Sequence, residues 1–355
     1  MSVIKILHSA DWHLDAPLQL HDPEQGRLLR KALQGIPAQI SRILRDEQCD
    51  LMLLSGDLFD GAYAADTLKS LKNALAEAGV PVFISPGNHD YIGGSSPWLQ
   101  ELWPENVHIF TRPEIEAVDV PSLDCCVYGA GYVSMDCPGL LQDFRPTHTS
   151  RYAVGVLHGD PTQIGSPYCP VTAQQVAQSG LDYLALGHIH KAGSFRSGAT
   201  LCAWPGCPMG RGYDEQGEKG LYIVTLEDTA TIRFVPLDTP RFYDLDVPAT
   251  QTLNSVLPPV GNADFYRITF TGPSEPLDLA AVRAQYAHFP NLFLRDQTVP
   301  PTDIWASAGE DTFEGMYFKR LQDALENSSA QDARHIRLAA QISRQLLDGQ
   351  EVELP

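Results

Sequence analysis

Basic side chains are scarce in this chain. Only 25 Lys and Arg stand against 44 Asp and Glu, which leaves a formal net charge of −19 over 355 residues. Phosphate neutralisation supplies most of the affinity of nucleic-acid binders. A surface that grips a nucleic acid unaided is therefore not what this balance describes. Such a substrate would have to be held by metal ions, by a local patch or by another subunit. Long apolar runs are missing too, since nothing approaches the ~20 uninterrupted residues of a membrane-spanning helix. The first residues lead straight into a strand-like segment and Asp11, without the parts of a secretory leader, so a cytoplasmic location and no membrane partner are expected. The 7 cysteines are an odd number in a long chain, and Cys202 and Cys207 are too far apart for a CxxC pair. That argues against a disulfide scaffold and a cysteine zinc site, and predicts inert thiols. No internal repeat or low-complexity tract is present.

What the chain does have is alternation. Short apolar runs at 4–7, 51–54, 82–84, 152–157 and 183–186 have the length and bounding turns of buried strands. Helical patterns lie between them, such as 68–78, with Asp66 as the expected N-cap and Gly79 as the stop. Strand and helix in alternation predict a layered α/β fold. Beyond residue 192 the runs 200–204 and 221–226, set among glycine turns, read as antiparallel β structure. The prolines of 236–248 mark a boundary. A mixed segment follows, then a helix over 330–347 with Ile336, Ala339, Ala340, Ile342, Leu346 and Leu347 gathered towards one side.

The chemistry sits at the strand ends. Asp11 and His13 follow the first run in SADWH, and Asp57 follows the second in LSGDLFD. Asn88, His89 and Asp90 follow the third in SPGNHD, His158 ends the fourth in VLHGD, and His188 and His190 follow the fifth in LGHIH. Ligands of open α/β sheets bind beyond the carboxyl ends of the strands. Taken singly, a DxH or a GD is an ordinary turn. All five in order, each at a strand end, describe a convergent metal site. Hydrolysing a phosphodiester near neutral pH needs a strong nucleophile and a sink for negative charge, and two ions ~3.5–4 Å apart provide both. Mixed imidazole and carboxylate ligands suit manganese, iron, zinc or cobalt.

The arrangement resembles the calcineurin-like metallophosphoesterase superfamily, whose pattern is DxH, GD, GNH[DE], H and GHxH. The resemblance covers about the first 190 residues. It implies a layered β-sandwich core flanked by helices and two divalent metal ions, manganese foremost. One ion would be held by Asp11, His13 and His190, the other by Asn88, His158 and His188, with Asp57 bridging. A hydroxide between the ions would attack phosphorus in line. His89 would be the general acid, and Asp90 would orient it.

Within the superfamily, ILHSADWHLD and the later WPGCPMGRGYDEQGEKGLYIV resemble the SbcD-type DNA repair exonuclease branch, through a PG-P segment followed by an E-x-G-x-KG turn. That resemblance implies a DNA substrate, an SMC-like ATPase partner and a homodimer. It also implies a nuclease domain over 1–240, a smaller α+β capping domain over 241–325 and a helical segment over 326–355. The last either docks the ATPase or packs on its own domain. One position departs from the branch. Its best-known nucleases have a second non-ligand histidine three residues after the bridging aspartate, and this chain has Asp60. An acid there cannot meet a phosphate unless it is protonated or paired. The acidic balance and Asp60 favour the alternative of a phosphodiesterase or phosphatase for small molecules such as nucleotides. A scaffold with a merely structural metal site is a third reading, and the full ligand set weighs against it. Lys191, Arg196, Arg211 and Lys219 are weaker candidates for a phosphate backbone, and Tyr213 for stacking on a base.

Overall fold

The computed structural model describes residues 3–18, 22–301 and 303–349. It divides into two compact units, one of Met1–Leu245, Val260–Arg267 and Tyr286–Phe293, the other of Asp246–Pro259, Ile268–Gln285 and Leu294–Pro355.

The first unit is built on two six-stranded sheets. Its strands are β1 (Ile4–Ser9), β2 (Leu51–Leu54), β3 (Val82–Ile84), β4 (Val107–Ile109), β5 (Glu116–Val120), β6 (Cys125–Gly129), β7 (Tyr152–His158), β8 (Tyr183–Gly187), β9 (Gly193–Ser197), β10 (Thr200–Trp204), β11 (Gly220–Leu226) and β12 (Ala230–Pro236). Its helices are α1 (Pro23–Asp46), α2 (Ala65–Ala78), α3 (Pro97–Gln100) and α4 (Ala173–Gln178). The first sheet runs β12-β11-β1-β2-β3-β4 and the second β5-β6-β7-β8-β10-β9. Strands β1 to β4 are parallel, as are β6, β7, β8 and β10, while antiparallel strands extend both sheets.

Continuous apolar runs are what such strands need, because both faces are covered. Ile6, Leu51 and Leu53 of the first sheet pack on Val127, Val154 and Tyr183 of the second. Leu7, Met52 and Leu54 point the other way, onto Leu29, Leu33 and Ile40 of α1 and Leu68, Leu71 and Leu75 of α2. Each fully buried Leu or Ile contributes ~1.5–3 kcal/mol relative to exposure. The layered sandwich implied by the family resemblance is what the chain forms. The two runs read as antiparallel β structure beyond residue 192 do take antiparallel partners, β9 for β10 and β1 and β12 for β11, but in different sheets. β10 lies between β8 and β9 in the second sheet, and β11 between β1 and β12 in the first.

Helix α2 ends at Gly79, in the left-handed region at φ 69°, as expected, but begins differently. Asp66 falls inside the first turn and the N-cap is Ala64, which has no capping side chain. The cap comes from elsewhere: Asp15 accepts the Ala64 N–H at 2.8 Å and the Thr67 hydroxyl at 2.9 Å. A long-range acid has replaced the local signal.

Further along the chain come β13 (Phe242–Pro248), β14 (Phe265–Thr271) and β15 (Leu292–Asp296), which form a three-stranded sheet in that order, and helices α5 (Leu279–Gln285), α6 (Phe313–Glu326) and α7 (Ala330–Leu347). In the second unit Ala340 of α7 packs with Ala308 and Phe318, whereas Leu346 and Leu347 are more than half exposed. No helix among the described residues is long and apolar enough to cross a membrane.

Candidate metal centre

Five loops at the C-terminal ends of β1, β2, β3, β7 and β8 bond to one another. Asp11 N–H donates to Gly56 O at 3.0 Å and His13 N–H to Asp57 O at 2.9 Å. His89 N–H donates to Asp57 Oδ1 at 2.9 Å and His188 N–H to Asp11 Oδ1 at 2.9 Å. The loops come from both sheets, three from the first and two from the second.

The backbone is held in an unusual form to do this. Asp11, His13 and Asp57 sit at φ 54°, 45° and 51°, and His188 at φ 90°. Each non-glycine residue there costs about 1–3 kcal/mol, and such residues cluster where a site over-determines them. Two glycines are required outright. A Cβ on Gly87 would stand 2.2 Å from Asp57 Oδ1, and one on Gly56, at φ 88°, would stand 2.5 Å from His158 Nδ1.

Three histidines each have one ring nitrogen tied back to the protein. Nδ1 of His13 lies 3.2 Å from Asp60 Oδ1, Nδ1 of His158 lies 2.8 Å from Ser55 O, and Nδ1 of His190 lies 2.6 Å from Glu215 Oε1. These acceptors assign the proton to Nδ1, which leaves a lone pair on every Nε2. The lone pairs converge. Nε2 of His13 faces Nε2 of His190 at 3.1 Å, and Nε2 of His158 lies 3.0 Å from Asn88 Oδ1 and 3.4 Å from Asp57 Oδ2. Oδ2 of Asp11, buried between them, has no hydrogen-bond partner. Electron pairs aimed at one another with no hydrogen between them repel, and a cation turns that repulsion into binding. Donor atoms of Asp11, His13 and His190 lie within 4.8 Å of one another, and so do those of Asp11, Asp57 and His158.

Charge follows the same logic. Burial, with the negative charge of Asp57 beside it, holds the Asp11 carboxyl well above its ordinary range. Burial also pushes His158 down to about 3 and His188 to about 4, which keeps them neutral and able to ligate.

The profile of the calcineurin-like phosphoesterases matches residues 4–192, just over half of the chain. The chain belongs to that family. Its Asp and His donors fit the two divalent metals that the family binds. It is 35% identical over 240 residues to the uncharacterized metallophosphoesterase YhaO of Bacillus subtilis, covering 62% of this chain and 57% of that one. Against a subunit of the nuclease SbcCD of the same organism it is 26% identical over 260 residues, covering 60% and 64%. The chain thus spans less than two thirds of either relative. A solved dimetal phosphatase from Danio rerio aligns with 13% identity and a TM-score of 0.45, covering 65% of this chain and 95% of that one.

Not every expected residue stands where the sequence reading put it. Asp11, His13, Asp57, Asn88, His158 and His190 converge as described. His188 lies beside them, its ring 5.3 Å from that of His158 and 4.7 Å from Tyr168, but joins neither donor group. Asp90, expected to orient His89, has a different task. Its carboxylate accepts from the backbone of Leu58 at 2.7 Å, Phe59 at 3.3 Å and Gly87 at 2.7 Å, stitching two loops together. The acid that meets His89 is Asp60, whose Oδ1 is 2.8 Å from His89 Nδ1. Hydrogen bonds from His13 and His89 hold the Asp60 carboxyl far below its usual range, and Asp60 in turn raises His89. The departure at residue 60 is therefore a paired acid.

Sequence reasoning missed Glu215 as a functional group, although it is the glutamate of the E-x-G-x-KG turn. It fixes His190 and accepts from Arg211, whose guanidinium Nη2 lies 2.9 Å from Oε1. Of the basic candidates, Arg211 and Lys219 point at this corner, the latter donating to His190 O at 3.2 Å. Arg196 bonds the carbonyls of Ala199 and Ala230, and Lys191 is exposed. Tyr213 packs edge-on to Phe242, and the Arg267 guanidinium lies 4.2 Å from its ring centre.

Proposed function

We propose that this chain is a two-metal phosphodiester hydrolase that acts on DNA as the nuclease component of a larger assembly. The observation that carries the hydrolase part is the meeting of three Nε2 lone pairs with Asp57 and an unpartnered Asp11 oxygen, all oriented from behind. In this reading Asp11, His13 and His190 would hold one divalent ion and Asn88 and His158 the second, with His188 beside them and Asp57 within reach of both. The bound ions supply an activated water and neutralise charge on the phosphoryl oxygens.

The protein's own groups do the rest. His89 is 44% exposed at the side chain and faces solvent with Nδ1 anchored on Asp60. Nε2 is left to hand a proton to the departing oxygen, a role worth ~100- to 10,000-fold in rate. Asp60 keeps His89 protonated further up the pH scale by accepting from it.

DNA as substrate is supported by the PG-P and E-x-G-x-KG segments and by likeness to a relative named as part of a nuclease. The same name, which marks that relative as one subunit among others, supports a partner, and we take an SMC-like ATPase as that partner. A net charge of −19 favours the second reading, a small phosphodiester or nucleotide substrate. A single assay separates them: the manganese-loaded chain, with and without a candidate ATPase, on linear and circular DNA with bis-p-nitrophenyl phosphate alongside. Degradation of linear DNA is the expected outcome. Turnover of the small ester with DNA left intact, ATPase present, would establish the second reading instead.

A further inference from the structure

The opposite end of the second sheet brings together a thiol, an imidazole and a carboxylate. Asp119 of β5 and Cys126 of β6 are directly paired across the strands, so their side chains share a face. His148, in the segment that returns from β6 to β7, lies over them with Nδ1 2.8 Å from Asp119 Oδ2. One donor atom from each of Asp119, Cys126 and His148 falls within 4.8 Å of the other two.

The three are held in place. The Tyr128 hydroxyl oxygen accepts the backbone N–H of both Thr147 and His148 at 3.1 Å, which pins the segment carrying the imidazole. Ser150 Oγ donates to Asp119 Oδ1 at 3.3 Å and leaves Oδ2 for another partner. Cys126 is 1% exposed and belongs to the apolar core, while Asp119 and His148 line a hollow of about 280 Å³. An ion pair alone explains the aspartate and the histidine. The thiol within reach of both adds a third, softer donor to that pair.

We propose that Asp119, Cys126 and His148 form a mononuclear zinc site separate from the dinuclear centre. Thiolate, imidazole and carboxylate together are a borderline-soft donor set of the kind zinc selects, and three protein ligands leave a fourth, tetrahedral position for water. Binding releases the thiol proton to solvent and replaces the direct contact between His148 and Asp119. Zinc bonds of ~2.0 Å to nitrogen and oxygen require those two atoms to move apart by roughly half an ångström, which a partly exposed imidazole absorbs by rotation. Cys126 pairs with Ala153 at the start of β7, whereas His158 ends that strand. Five residues at ~3.3 Å each put the two sites roughly 16 Å apart along the strand. A three-ligand site with an open position binds and releases its ion more readily than a closed one, which suits a regulatory ion.

The donors proposed for the dinuclear centre include no sulfur, so a thiolate signal separates the new site from it once Cys207, which lies with His190 and Glu215, is controlled for. The test is a cobalt titration of the full, metal-stripped chain followed by zinc. We expect a thiolate-to-cobalt charge-transfer band in the near ultraviolet that zinc abolishes and that is absent from Cys126→Ser. It should persist in Cys207→Ser, because Cys207 lies beside Glu215. His148→Ala and Asp119→Asn, both at the rim and harmless to the core, should each weaken cobalt binding by more than the ~10- to 100-fold that an outer partner is worth. Hydrolysis of bis-p-nitrophenyl phosphate by the manganese-loaded Cys126→Ser chain should be unchanged. A band that survives Cys126→Ser, no band while other cobalt binds, or rim variants that titrate like the parent would each overturn the proposal.

Discussion

The two sheets contribute unequally to the proposed metal centre. Loops of the first sheet carry Asp11, His13, Asp57 and Asn88, hence both carboxylates, while loops of the second carry only the imidazoles of His158, His188 and His190. Asymmetry extends to the scaffold. First-sheet loops are tied to each other through Asp57 and Asp90, with three of their proposed ligands in left-handed backbone. Second-sheet loops lean on the first, through His158 to Ser55 O and through His188 N–H to Asp11. The first sheet supplies charge and frame, and the second adds neutral donors to a frame already made. Damage to the first should therefore remove the site, and damage to the second should weaken it.

Asp57→Ala is the severest test of that difference. It deletes the carboxylate whose Oδ2 lies 3.8 Å from His13 Nε2 and 3.4 Å from His158 Nε2, and whose Oδ1 accepts the His89 N–H. We expect metal content to fall from about two ions per chain to less than one. Turnover of bis-p-nitrophenyl phosphate should drop at least ~1,000-fold, beyond the worth of a single electrostatic donor. A chain that keeps both ions would break the comparison.

His89→Ala should follow, with metals retained and turnover down ~100- to 10,000-fold. Its partner gives a pH signature. Asp60 raises His89, so Asp60→Asn lowers it towards the ordinary histidine value, and an acid that must be protonated is then lost earlier as pH climbs. The alkaline limb of the rate profile should move to lower pH. A limb that stays put would remove Asp60 from its assigned role.

Asp90 separates frame from chemistry. If it oriented His89, Asp90→Ala would impair turnover and leave stability alone. Its partners predict the reverse emphasis. Three backbone N–H groups lose their acceptor in a buried loop, at about 1–3 kcal/mol for each group left unsatisfied. The expected result is a melting temperature several degrees lower and weakened metal binding. An unchanged melting temperature would return Asp90 to the orienting role.

That contrast also marks what the sequence could reveal. Strands β1, β2, β3, β7 and β8 were legible because parallel strands covered on both faces must be apolar throughout, and the loops after them were legible because ligands follow strand ends. Partners that act across long separations were not. Asp60 and His89 are 29 positions apart, Glu215 and His190 25, and Asp15 caps α2 from 49 positions away. Asp90 differs from what the resemblance implied, because its carboxylate is taken up by the backbone N–H groups of Leu58, Phe59 and Gly87. The Asp119, Cys126 and His148 cluster was invisible as well, because cross-strand pairing, not spacing, brings a thiol beneath an acid.

Glu215→Gln should have the smallest effect, because it touches the second sheet's contribution through an intermediary. Glutamine retains an oxygen to accept from His190 but surrenders the charge that faces Arg211. Metal affinity should fall ~10- to 100-fold, as for other groups that orient a ligand. Burial opposes the Glu215 charge, yet the hydrogen bonds from His190 and Arg211 outweigh it and hold the carboxyl below its ordinary range. A depressed carboxyl adds stability above the unfolded value of ~4.3, and that contribution fades as pH falls towards the folded value. The metal-free parent should accordingly lose stability below about pH 4.3 faster than Glu215→Gln does, and the two denaturation midpoints should converge on acidification. Parallel midpoints across that window would mean that the charge of Glu215 is spent on neither partner.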